Sequence, residues 1–149
     1  MVNWTYNPED YGKQNLIPEG IYKVRIDEAR ERVSKSGKDM YELVIKVSGQ
    51  QSKVWYYLVF DGATPERQQQ TNNKLGAIFD SFDIPRGDLN LEHWKGKVGA
   101  ARIRHRPDQN EELRADVHFF VKRQKQDELP VWQEHPNVGE MASIDDVPF

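Results

Sequence analysis

The chain has 149 residues, of which 37 % are hydrophobic and 30 % are charged, and its formal net charge is −3. This length corresponds to one ordinary domain and excludes a second catalytic domain, and the composition is typical of a globular protein that carries some disorder. No apolar run approaches the roughly 18 residues that a membrane span needs, and the first residues lack the pattern of a secretory signal. The sequence contains no cysteine, which excludes disulfides and thiolate metal sites. We therefore expect a cytoplasmic protein with no membrane partner.

Charge is distributed unevenly along the chain. Residues 1–123 carry 20 Lys and Arg against 18 Asp and Glu, a net charge of +2, whereas residues 124–149 carry one Lys against six acids, a net charge of −5. Residues 95–106 contain five Lys and Arg and no acid. Such a local positive field attracts phosphate even in an acidic protein, although a solvated strand face would have the same composition.

The predicted elements begin after an irregular N-terminal lead-in, residues 1–19. Apolar and polar side chains then alternate in three segments, which predicts three consecutive strands joined by hairpin turns that contain glycine. These strands cover residues 21–33, 40–47 and 53–60.

One helix follows the three strands. Thr64 and Pro65 suit the N-cap and the first turn, and apolar residues then recur at three- and four-residue spacing as far as residue 82. Alternation returns in residues 98–106 and 113–121, which predicts two further strands. Five strands with one helix between the third and the fourth are the layout of the OB-fold, a partly open barrel that binds oligonucleotides, although an α+β sheet would give a similar pattern. We therefore predict a mainly β protein, with an OB-like five-stranded barrel over residues 20–123.

Periodicity stops at Gln124. Residues 124–149 contain prolines, a glycine, few aliphatic side chains and a net negative charge. This composition predicts a disordered acidic C-terminal tail.

Few residues are arranged for catalysis. The four histidines have neither the i, i+4 spacing of a zinc helix nor cysteine partners, no glycine-rich loop precedes a lysine and a hydroxyl residue, and no serine lies in a nucleophile elbow. Carboxylates do not cluster with a lysine on the predicted strands, as they do in a metal-dependent nuclease. We therefore expect a binding protein with no catalytic residue, no metal and no cofactor.

Cations and aromatic rings share faces of the predicted strands, and single-stranded nucleic acid needs both. Alternation places the arginines of the fourth strand on its outer face, and it makes Phe120 an exposed ring among cations of the fifth strand. Trp55 lies on the less apolar face of the third strand, although a bulge would reverse this parity and bury it in the core. The predicted DNA-binding residues are Lys53, Trp55, Tyr57, Lys97, Arg102, Arg104, Arg106, Arg114, His118, Phe120 and Lys122.

The last nine residues, MASIDDVPF, contain two aspartates, an apolar residue, a proline and a terminal phenylalanine. This ending resembles the acidic tip of bacterial and phage single-stranded DNA-binding proteins. The resemblance implies that the tip recruits replication or recombination proteins, because a ring can fill an apolar pocket while the aspartates pair with basic residues around it. The predicted partner-binding residues are Asp145, Asp146, Val147, Pro148 and Phe149.

The body has a second, looser resemblance. The segments LIPEGIYKVRIDEARERVSKSGKDMYELVIKV, VWYYLVF and NNKLGAIFDSF are similar to a family of small phage proteins that has long been catalogued as a domain of unknown function and is often proposed to bind single-stranded DNA. The similarity covers residues 16–103 and implies a phage protein made in a bacterial cytoplasm. It assigns no individual DNA contact.

Together these patterns favour a protein that coats and protects single-stranded DNA, without strong sequence preference, during phage DNA replication or recombination. One alternative is a recombination accessory factor that anneals strands or acts as a mediator, and another is a small nuclease. The sequence leaves open whether the protein forms a homo-oligomer and whether it prefers DNA or RNA.

Overall fold

The computed structural model describes residues 1–8 and 16–134, so the C-terminal tip, residues 145–149, lies outside the described residues. The described chain is mainly β, with one antiparallel sheet of five strands and a long helix between the third strand and the fourth, as predicted. The strands are β1 (Gly20–Val33), β2 (Asp39–Val47), β3 (Lys53–Val59), β4 (Val98–Pro107) and β5 (Leu113–Phe120). The helices are α1 (Pro65–Ser81), the single turn α2 (Leu91–Trp94) and a 3-10 helix (Arg123–Glu128).

Tight turns join the first three strands. Between β1 and β2 the Lys38 amide donates a hydrogen bond to Ser34 Oγ (3.0 Å), and Gly37 has a φ of 86°. Between β2 and β3, Gly49 has a φ of 74°. Glycine adopts these left-handed conformations without steric cost, so the predicted turn glycines lie where the backbone requires them.

The sheet has the order β3-β2-β1-β4-β5. The long central strand β1 pairs with β4 through its first half and with β2 through most of its length. A bulge at Asp27 shifts the β1–β2 register between Ile26 and Glu28. Among the described residues no ladder of hydrogen bonds joins β3 to β5, so the sheet is open there and the barrel is not closed.

The fully buried Trp94 is the largest side chain of the core. Its ring packs edge-on against Tyr41 and Phe79, with centroids 5.4 and 6.0 Å apart. Its indole N–H donates to the backbone oxygen of Asp88 (2.8 Å), so the polar atom of this buried ring has a partner. Trp94 therefore anchors the single turn α2 in the core.

Helix α1 packs its C-terminal end closely against β4. Thr64 caps its first turn by accepting a hydrogen bond from the Arg67 amide (3.2 Å). At its end, Ser81 Oγ donates to the Ala100 oxygen (3.0 Å) and accepts from the Ala100 amide (3.1 Å). A Cβ atom at Gly99 would lie only 2.8 Å from the Ser81 oxygen, so glycine permits this approach.

The segment after β5 is attached to the body, which differs from the predicted tail boundary at Gln124. Gln126 in the 3-10 helix is buried, and its Nε2 donates to the backbone oxygens of Ser81 and Val121, both at 3.0 Å. Farther along, the Gly49 amide donates to the Gln133 oxygen (2.8 Å). Single polar contacts of this kind leave no periodic pattern in a sequence, so residues 124–134 resemble an unstructured segment on the basis of composition alone.

Candidate functional site

One face of β3 presents two aromatic rings to solvent. Trp55 and Tyr57 are 50 % and 51 % exposed, and Lys53 is exposed on the same face, whereas Val54 and Leu58 are buried. The predicted parity of this strand is confirmed, and the alternative that Trp55 belongs to the core is wrong. Whether these side chains contact DNA stays a prediction.

A largely buried carboxylate organises the surface around Tyr57. The strand register places Glu42 of β2 directly between Tyr57 of β3 and Arg30 of β1. Glu42 forms ion pairs with Arg30 and Arg32, both at 3.3 Å. Burial, followed by the charge and the hydrogen bond of Glu42, raises the pKa of Tyr57. Glu42 therefore lies between the neutral hydroxyl of Tyr57 and two half-exposed guanidinium groups.

Arg30 and Arg32 are absent from the predicted site, and the reason is the bulge at Asp27. Simple alternation along β1 places Arg25 and Arg30 on opposite faces. Because the bulge inserts one extra residue, both are opposite outward-facing residues of β2. A run of arginines in a strand is visible in the sequence, but the face they occupy is not.

A groove of about 580 Å³ lies between the unpaired edges of β3 and β5. Lys53, Trp55 and Tyr57 line this β3–β5 groove on one side, and Arg114 lines it on the other. The structure therefore brings together four residues of the predicted set from two distant segments. Ile17 also lines the groove, and its backbone oxygen lies 2.7 Å from Nε2 of His105, which ties the N-terminal segment to β4.

Arg104 of β4 and Arg114 of β5 form ion pairs with nearby acids. Arg104 Nε is 3.1 Å from Asp116 Oδ1 on β5. Arg114 pairs with Asp108 (2.9 Å) and Glu112 (3.3 Å) from the turn that joins β4 to β5. Although residues 95–106 contain no acid, their partner strand partly neutralises their positive field.

The other predicted cations are spread over the surface. Lys97 precedes β4, whereas Arg106 lies near the far end of that strand, about 30 Å away at the usual strand rise. Lys122 lines a separate groove together with Asn72 and Gly76 of α1. Lys97 and Lys122 are not among the residues that line the β3–β5 groove, whereas Arg106 pairs with Arg114, which does line it.

The prediction that Phe120 faces outward is wrong. Phe120 is only 9 % exposed. Its ring packs edge-on against Tyr56 (centroids 4.9 Å apart) and Phe82 (5.4 Å apart), so it belongs to the core between the sheet and α1.

A register shift in the β4–β5 pair explains this reversal. Arg102 pairs with Phe119, but Ile103 pairs with Val117, which leaves His118 as an extra residue on β5. Such a bulge exchanges the two faces for the residues that follow it. Phe119, which simple alternation buries, is instead 46 % exposed, with its ring beside that of His118.

Residues 131–134, called the strap below, cover a further pair of cations that the sequence does not single out. Arg25 and Lys46 are direct neighbours on β1 and β2. Glu134 lies 2.8 Å from Arg25 Nη1 and 2.9 Å from Lys46 Nζ, and Trp132 donates its indole N–H to the same carboxylate (2.8 Å). Hydrogen bonds from Lys46 and Trp132, together with Arg25, lower the pKa of Glu134 from 4.5 to about 2. The carboxylate is therefore charged at neutral pH.

None of the described helices has the length and apolar character needed to cross a membrane. The chain matches no protein-family model, and a search of the curated proteins finds no match for it.

Proposed function

We propose that this protein binds single-stranded DNA, without strong sequence preference, on the surface formed by β3 and the β3–β5 groove. The observation that carries the proposal is the exposed pair Trp55 and Tyr57, which lies on one strand face with Lys53 and is separated from Arg30 by Glu42 of β2. Aromatic faces stack with any base and cations follow the phosphates, so this combination suits a strand of any sequence.

The spacing of the two rings supports this proposal. Side chains two residues apart on a strand are about 7 Å apart. Neighbouring bases of an extended single strand can each reach one ring at this separation. A duplex cannot bind in this way, because its bases are already stacked on one another inside the helix.

The topology supports an OB-like barrel that is open between β3 and β5. The order β3-β2-β1-β4-β5, with α1 between β3 and β4, is what results when a five-stranded barrel of this kind is opened along one edge. OB-folds bind oligonucleotides on the face of their second and third strands. Trp55 and Tyr57 lie on that face here, opposite Val44 and Glu42 of β2.

The proposed cellular role is to coat and protect single-stranded DNA during phage DNA replication or recombination in a bacterial cytoplasm. Partner proteins of those processes would bind the acidic tip around Asp145, Asp146 and Phe149. The support for this role is the resemblance of the body and of the tip to phage and bacterial proteins that act on single strands, together with the acidic composition of residues 135–149.

The decisive experiment compares the affinity for labelled oligo-dT with the affinity for a duplex of the same length, at two salt concentrations. Oligo-dT should bind more tightly, and its affinity should fall as the salt concentration rises. Each cation that contacts a phosphate contributes about −0.7 to the slope of log K against log salt, so Lys53, Arg30 and Arg32 predict a slope of about −2 or steeper. Equal affinity for the duplex would contradict the proposal.

A further inference from the structure

We propose that Arg25 and Lys46 form a phosphate-binding site for the same single strand, and that the strap occupies this site until DNA displaces it. This inference rests on the proposed function and extends it to a second part of the surface.

The strap presents to this site the groups that a nucleotide would present. The Glu134 carboxylate accepts hydrogen bonds from Arg25 and Lys46, as a phosphate would. The ring of Trp132 lies against the Arg25 guanidinium, with its centroid 5.0 Å from Cζ, as a base could. The Glu134 carboxylate and the Trp132 ring therefore occupy the positions that we propose for a phosphate and a base.

The site adjoins the aromatic pair. The register aligns Arg25, Lys46 and Lys53 in one row across β1, β2 and β3, and Trp55 is the next outward residue after Lys53 on β3. A single strand that stacks on Tyr57 and Trp55 meets this row at Lys53, and when it turns there across the sheet it reaches Lys46 and then Arg25. Its backbone would then lie where the Glu134 carboxylate now lies.

The charges of the row favour exchange with DNA. Arg25, Lys46 and Lys53 carry three positive charges, and Asp27 neutralises part of them through contacts with Arg25 (2.7 Å) and Lys53 (3.5 Å). With Glu134 bound, the five groups have a net charge of +1, and without it the remaining four have a net charge of +2. Release of the strap thus restores a positive field to which phosphate is attracted.

The attachment of the strap allows release without unfolding. Two backbone amides hold it to the turn between β2 and β3: Gly49 donates to the Gln133 oxygen, and Gln133 donates to Ser48 Oγ (2.9 Å). The preceding 3-10 helix is fixed by the buried Gln126, so a released strap remains tethered beside its site. Tethering gives the carboxylate a high effective concentration, which makes it a reversible competitor.

Amide hydrogen exchange reports the state of the strap directly. In the wild-type protein the Gly49 amide should exchange slowly because it is bonded to Gln133, and saturating oligo-dT should accelerate its exchange by about tenfold or more. The Ala100 amide, which is bonded to buried Ser81, should not change.

Two substitutions separate the roles of the strap and the site. Glu134→Gln removes the competing charge, so it should accelerate Gly49 exchange in free protein and raise oligo-dT affinity about three- to tenfold. Lys46→Gln should also free the strap but should lower the affinity, because it removes a phosphate contact. Glu128→Gln is the matched control, since it makes the same charge change in the neighbouring 3-10 helix and Glu128 forms no ion pair within the described part of the chain.

The outcomes distinguish the two proposals. If neither the wild type nor Glu134→Gln binds oligo-dT, both the proposed function and this inference are wrong. If oligo-dT binds but leaves Gly49 protected, or if Glu134→Gln and Glu128→Gln have the same affinity as the wild type, the strap proposal alone is overturned. A rise in affinity with Lys46→Gln would also overturn it, because the site would then have no attraction for phosphate.

Discussion

At the scale of single residues, the exposed rings of Trp55 and Tyr57 need a reason to be on the surface. A large aromatic side chain gains free energy from burial, roughly 1.5–3 kcal/mol for a ring the size of Phe. Two adjacent rings that are half exposed on one strand therefore forgo stability that the core would provide. In the proposed complex, stacking with bases would return this free energy on binding.

Substitution of Trp55 tests its role. Trp55→Ala should weaken oligo-dT binding by about 1–3 kcal/mol, or about five- to 150-fold, because it removes one stacking platform. The salt slope should not change, since no cation is lost. The measurement is a titration of labelled oligo-dT followed by fluorescence anisotropy at two salt concentrations.

Trp55→Phe is the control for this experiment, because it retains a ring on the same face. It should keep most of the affinity that Trp55→Ala loses. Wild-type affinity in Trp55→Ala would show that DNA does not use this ring.

At the scale of elements, two bulges decide which side chains the strands expose, and one glycine decides how closely α1 approaches the sheet. The bulge at Asp27 places Arg30 on the face of Arg25, and the bulge at His118 buries Phe120 while exposing Phe119. Bulges of this kind redirect side chains at the cost of one unpaired residue. The close approach of α1 to β4 at Gly99 then holds the helix against the sheet.

Gly99→Ala should destabilise the fold. The new Cβ would lie 2.8 Å from the Ser81 oxygen and 2.9 Å from Phe82 Cδ1, and the end of α1 must move to relieve this contact. Overpacking of this kind lowers the free energy of unfolding by about 1–3 kcal/mol. Urea denaturation followed by circular dichroism measures the change.

Gly76→Ala is the matched control within α1. A Cβ at Gly76 meets no atom within 4 Å, so the substitution should raise the free energy of unfolding by about 0.5–1 kcal/mol through helix propensity. If both variants lose the same stability, the close approach at Gly99 has no energetic importance.

At the scale of the whole molecule, we expect two parts of the acidic C-terminal region to have different roles. Residues 124–134 are bound to the body through Gln126 and the strap. The predicted tip, residues 145–149, lies beyond the described residues and carries the two aspartates and Phe149. We expect the first part to compete locally with DNA and the second to bind partner proteins.

Removal of the tip tests this division. Deletion of residues 144–149 should leave the unfolding midpoint unchanged and should leave oligo-dT affinity equal or higher, most visibly at low salt, where charge competition is least screened. Phe149→Ala should abolish partner binding without changing DNA affinity, because it removes a ring and no charge. Pull-downs from infected-cell extract with the wild type and both variants measure partner binding, and recovery of the same replication or recombination proteins by all three would contradict the expectation.

The sequence by itself determined the five strands, helix α1 and the outward face of β3. Alternation and turn glycines predict five strands, the cap at Thr64 predicts the start of the helix, and parity along β3 predicts that Trp55 and Tyr57 face outward. These features depend on residues that are close together in the chain, where steric preferences and the two-residue period of a strand act directly.

Only the tertiary structure decided which residues of different strands contact one another and which side chains the bulges expose. The exposure of Phe119 in place of Phe120 depends on a bulge that no local pattern marks. The partial neutralisation of Arg104 depends on Asp116 in another strand, and the cover over Arg25 depends on Glu134, 109 residues away. The packing of the whole sheet selects such pairings. Each pairing contributes too little free energy to be visible as a pattern within its own segment of the sequence.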